Sequence, residues 1–254
     1  MIKVGRGPEP LALSAARPGA LAKCRPNGPA NRAALPDDYR KVARDLWTAQ
    51  HYKCAYCESR EQLKRNDVEH FRPASRYWWL AFTWENLLFS CRNCNQAPYK
   101  LDKFPLLPGS VALVAEAAPP GNERPLLIDP ASESGLEHLE FVSTRRPEGS
   151  RGWVPRARNG SVRGVETIAT LGLDRADLLD LYKAHVDEDV QPNIDALRAV
   201  ITGGQQVAID AEWSRFCRAH LRPSAKYAAL TLGVLDEEIP IAERAKWSLE
   251  VPAL

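Results

Sequence analysis

Two Cys-x-x-Cys pairs, Cys54-Ala-Tyr-Cys57 and Cys91-Arg-Asn-Cys94, stand 33 residues apart in a chain of 254. Each pair closes a tight knuckle, and the two knuckles can meet around one tetrahedral ion. Four thiolates leave no open coordination position, so the expected group is structural zinc, contributing on the order of 10 kcal/mol of apparent folding free energy. An iron–sulfur cluster is the other group that four cysteines suit. Metal is favoured over disulfides in a chain read as cytoplasmic. The two other cysteines, Cys24 and Cys217, read as ordinary reduced thiols.

Zinc alone does not account for the residues between the pairs. Asp67–His70 predicts a short strand that stops at Arg72-Pro73, and Asn86–Ser90 a second strand that enters the Cys91 turn. With a helix starting near Cys91, the unit is ββα, which brings Glu69 and His70 toward Asn95. These residue types suit phosphodiester hydrolysis. An imidazole has a pKa near neutrality and serves as general base, and hard oxygen donors such as a carboxylate and an amide suit Mg²⁺ or Mn²⁺. The aromatic stretch Tyr77, Trp78, Trp79, Phe82 and Trp84 offers base-stacking surfaces, with packing around the zinc module as its default role.

Charge is unevenly placed. Residues 1–110 carry 18 Lys/Arg against 10 Asp/Glu, and residues 111–254 carry 16 against 22. A basic half that also holds the metal-ligand pattern fits a polyanionic substrate, DNA or RNA. Hydrophobic residues at 44% and charged residues at 26% exclude wholesale disorder, and no apolar run is long enough to span a membrane.

The segments "CAYCE", "VEHFRP", "WENLLFSCRNCN" and "KFPL" resemble the HNH endonucleases of the ββα-metal, or His-Me finger, superfamily, and among them the nuclease subunits of Septu antiphage defence systems. The resemblance is dense from Cys54 to Leu106 and looser to about residue 182. It implies that His70 is the general base, that Glu69 and Asn95 hold the catalytic cation, and that Asn86 braces the loop. It also implies that Arg72, Arg76, Lys100 or Lys103 touch phosphate, and that a PtuA-like ATPase subunit is the partner. Glu69 replaces the commoner Asp or His, and Asn95 the commoner second histidine, which moves the preference toward a hard cation. The chain has no G-x-x-x-x-G-K-[ST] loop of its own. The alternative function is a zinc-stabilised nucleic-acid-binding or adaptor protein without cleavage.

The fold expectation is therefore α+β. Residues 1–35 read as an extended arm and 36–110 as the HNH domain, with a helix through Pro36–Lys53. Residues 111–254 read as a mainly helical region for partner docking. Within it, Arg124–Val142 predicts two short strands, followed by a Gly- and Arg-rich loop to Gly160, and Asp174 is the expected cap of a later helix. Removing residues after about 185 is expected to leave zinc binding intact.

Overall fold

The helix over Pro36–Lys53 begins as a 3₁₀ segment, Asp37–Val42, and continues as α2, Ala43–Ala49, burying Tyr39, Val42 and Leu46. The computed structural model describes residues 1–26 and 35–254. Downstream of α2 lie β1 (Asp67–His70), β2 (Leu87–Ser90) and α3 (Arg92–Asn95), the expected ββα unit with its helix reduced to one turn. β1 and β2 pair antiparallel with Glu69 opposite Leu88 and His70 opposite Leu87. Strands of four residues bury little, so the long connection between them supplies the core. Tyr77, Trp78, Trp79, Phe82 and Trp84 are all buried there, which assigns these rings to packing.

The first segment differs from expectation. Leu11–Cys24 forms a helix, α1, despite Pro18 inside it. An interior proline is costly to a helix, and burial of Leu13, Ala20 and Cys24 offsets that cost. Arg17 Nε donates to Phe82 O (2.9 Å) and Arg6 Nε to Leu87 O (2.9 Å), so this segment clamps the β1–β2 connection. The rest of the expected arm, residues 27–34, lies outside the described residues.

The second half departs from expectation at its hairpin. Residues 124–138 hold no strand. β3 (Leu139–Arg145) pairs instead with β4 (Arg151–Ala157), inside the segment read as a loop. Pro155 is tolerated because a two-stranded sheet has only edge strands. Helices α4 (Val162–Leu171), α5 (Ala176–His185), a π-helical turn at Val186–Val190, α6 (Gln191–Gly203), α7 (Gln206–His220), α8 (Ala228–Glu238) and α9 (Ile241–Ala245) complete the α+β fold. Among the described residues no helix is long and apolar enough to cross a membrane.

The helical half forms a wall of the four-cysteine module. Tyr227 Oη lies 2.8 Å from Ser59 Oγ, the buried Lys53 Nζ donates to Ala225 O at 2.8 Å, and Asn93 Nδ2 donates to Asp177 Oδ2 at 2.9 Å. Gly172 ends α4 at φ +57°, and a Cβ there would meet the Tyr99 ring at 1.9 Å. Only glycine combines that left-handed turn with so close an approach. The α5 cap is Arg175 rather than Asp174, and it makes no side-chain cap because a guanidinium has no acceptor for the first-turn N–H groups; the side chain lies instead beside Cys94.

These contacts reverse the truncation expectation. A chain ending at residue 185 would expose Ser59 and leave the buried Lys53 without its carbonyl partner. It is expected to melt well below the full chain and to lose zinc to a chelator faster. Equal zinc retention in the two chains would contradict this reading.

Candidate active site

The zinc cradle is built by local turns. Cys54 and Cys57 follow α2, Cys91 caps α3, and Cys94 lies within it. Backbone N–H groups of Tyr56 and Cys94 donate to Cys54 Sγ and Cys91 Sγ, each at 3.4 Å, the turn pattern that stabilises a thiolate. All four sulfurs are buried and lie within 4.8 Å of one another. Zinc–sulfur bonds of about 2.3 Å in a tetrahedron place sulfurs about 3.8 Å apart, and Cys57 Sγ and Cys91 Sγ are 3.8 Å apart. The donor set and its spacing fit zinc. Arg175 Nη1 stands 3.6 Å from Cys94 Sγ, where it offsets the excess negative charge of four thiolates on a divalent ion. Burial opposes the charge on Arg175, yet the nearby sulfurs hold its pKa above the ordinary value.

The cysteine cradle also sets the adjacent cleft, because Asn95 follows Cys94 directly. Asn95 N–H donates to Cys91 O (3.1 Å), and Leu101 N–H donates back to Asn95 O (2.8 Å). Asn95 thus reaches the end of β1, where it lines one polar cleft with Tyr39, Asp67, Glu69, His70 and Asp102. The cleft holds about 50 Å³, room for a few waters or a hydrated ion and too little for a nucleoside. Sequence reasoning missed Asp67 and Asp102. Asp67 was legible only as the first residue of the β1 strand, and Asp102 depends on the chain turning back after α3.

His70 is buried, with its ring centroid 4.6 Å from that of Tyr39. Its Nε2 lies 3.0 Å from Ala81 O. A carbonyl only accepts, so Nε2 carries the proton and Nδ1 is the basic nitrogen of the neutral ring. Asn86 ties the connection down at both ends. Its Oδ1 accepts from Arg72 N–H (2.8 Å), and its Nδ2 donates to Arg72 O (3.0 Å) and Leu80 O (3.2 Å). The carbonyl that orients His70 belongs to the residue after Leu80, so Asn86 fixes the imidazole through the backbone.

The basic residues separate into different environments. Lys100, expected at phosphate, is fully buried, is ion-paired with Glu69, and donates to His70 O at 2.8 Å. It cannot reach a phosphate there. A buried carboxylate needs a counter-charge, and Lys100 supplies it. Arg72 donates to the buried Glu123 (2.6 Å) and lies over Phe71 and Phe104. Arg76 is exposed over the Tyr77 ring, and Lys103 is exposed with Nζ 2.6 Å from Pro98 O.

Residues 54–100 match the family model described as HNH endonuclease. Over 153 residues the chain is 32% identical to Septu protein PtuB of Bacillus mycoides (strain KBAB4), covering 55% of this chain and 48% of that protein. Over 87 residues it is 34% identical to Septu protein PtuB of Bacillus thuringiensis, covering 28% of this chain and 34% of that protein. The chain thus spans about half the length of the first of these relatives and about a third of the second. No solved structure matches it.

Proposed function

With residues 54–100 an HNH endonuclease domain, we propose that the chain hydrolyses phosphodiester bonds of nucleic acid at the cleft of Glu69, His70 and Asn95. The observation that carries this reading is the His70 tautomer. Nε2–H is engaged by Ala81 O at 3.0 Å, and the basic Nδ1 belongs to a ring lining the same cleft as Glu69 and Asn95. His70 takes the proton from the attacking water, and Asn86 keeps the ring aligned. Glu69 and Asn95 offer oxygen donors that suit Mg²⁺ or Mn²⁺, with Asp67 and Asp102 close by to orient its waters. Such a cation supplies charge neutralisation at the scissile phosphate and the leaving oxygen. Arg76 and Lys103, both exposed, are the phosphate contacts in this reading.

The likeness to Septu protein PtuB supports a place as nuclease subunit of an antiphage defence complex, working in the cytoplasm with a PtuA-like ATPase. In this reading residues 36–110 are the nuclease domain, and the outer surface of residues 111–254 carries the partner.

One observation favours the adaptor reading. Glu69 is already neutralised by the buried Lys100, as it would be in a scaffold that kept the fold and lost the chemistry. A carboxylate has about four lone-pair sites, so an ammonium and a cation can share it. Cleavage by zinc-replete wild type and His70→Ala, with and without the ATPase, separates the two readings. The expected loss in the variant is about 10²- to 10⁴-fold at equal zinc content; equal rates would contradict the role given to His70.

A further inference from the structure

A second polar cavity, sharing no residue with the cleft, opens where the α5–π-turn segment meets the end of α7. It has a volume of about 460 Å³ and is lined by Arg60, His185, Glu188, His220, Arg222 and Lys226, among others. That size falls in the range of small-molecule sites. Among the described residues, Arg60, Arg222 and Lys226 form no ion pair with a carboxylate. Arg60 donates to Ser224 O at 3.1 Å, and Lys226 lies over the Tyr227 ring. The three cations outnumber the two carboxylates of the lining, Glu188 and Asp189, the second of which is hydrogen-bonded to His185, and a bound anion offsets the remaining positive charge.

Two histidines form the cavity floor. His185, 6% exposed, lies 2.9 Å from Asp189 Oδ2 through Nδ1, so Nδ1 donates and Nε2 is an acceptor. That Nε2, and Nε2 of His220, are sealed from solvent with no hydrogen-bond partner among the described residues. Both residues line the cavity through their other atoms, so the floor is walled by two neutral imidazoles. Burial pushes both imidazoles below their ordinary pKa, so the positive charge of the site comes from the lysine and the arginines. The π-helical turn at Val186–Val190 sits directly after His185, and such turns concentrate at functional positions.

We infer that this cavity binds a phosphate-bearing ligand of nucleotide size. Its phosphate meets Arg60, Arg222 and Lys226, and Glu188 on the rim suits an exocyclic amine. The ligand is either a free nucleotide or a nucleotide within a strand. No linear motif announces the site, because its cations come from the first zinc knuckle and from the segment between α7 and α8. The inference stands independently of the chemistry proposed for His70.

The test is fluorescence anisotropy of a mant-labelled nucleoside triphosphate with zinc-replete full-length protein, using inorganic phosphate and a short single-stranded oligonucleotide as competitors. The expected result is saturable binding that weakens by at least about tenfold in Arg60→Ala/Arg222→Ala and is unchanged in His70→Ala. Both arginines are exposed, so the double variant should fold, and zinc content checks this. Competition by phosphate identifies a free nucleotide as the source, and competition by the oligonucleotide alone identifies a strand. No binding at millimolar concentrations, or binding that the double variant leaves unchanged, would overturn the inference.

Discussion

Stripping zinc from the protein is expected to unfold the segment from Cys54 to Phe104 and to lower the melting temperature by tens of degrees. Structural zinc contributes about 10–16 kcal/mol in small modules, more than the whole stability of most domains. Here it joins elements that are weak by themselves, two four-residue strands and a one-turn helix. The loss should spread, since Arg175 packs on Cys94, and Ser59, two residues after Cys57, bonds Tyr227. A thermal melt with and without a chelator, followed by circular dichroism, checks this. An apo protein that melts at the same temperature would exclude a structural role for zinc.

Lys100→Met should be the most damaging single substitution at the cleft, at about 3–5 kcal/mol, because it leaves the buried Glu69 carboxylate without its ammonium. The double variant Glu69→Gln/Lys100→Met is expected to recover most of that stability, since removing both charges of a buried pair is often nearly neutral. It should not recover cation-dependent activity, for which Glu69 is the proposed ligand. A lysine whose task was to touch phosphate would behave differently: Lys100→Met would leave the denaturation midpoint unchanged and weaken nucleic-acid binding.

The parts of the fold that follow from local pattern were legible in the sequence. The cysteine pairs fixed the cradle, and the Asp67–His70 and Asn86–Ser90 runs fell on β1 and β2 to within a residue. The misses share a physical cause, tertiary contact overriding local propensity. The prolines and glycines of residues 1–35 hid a helix that burial against the core stabilises, and Gly152 and Pro155 disguised a strand whose Trp153 is buried. Lys100 looked like any surface lysine until the turn after α3 carried it under Glu69. Arg175 lies 81 residues from the sulfur it approaches, beyond any pattern in the local sequence.

The cleft itself is tested most directly by titrating Mg²⁺ or Mn²⁺ from zero into zinc-replete wild type and Glu69→Gln, and following cleavage of plasmid DNA, single-stranded DNA and tRNA, with and without the ATPase. The account predicts that wild type cuts at least one substrate only once the cation is added, and that Glu69→Gln fails to cut at cation concentrations that saturate wild type. Wild type that binds these substrates yet cuts none of them under any condition, or cuts equally well without added cation, would contradict it.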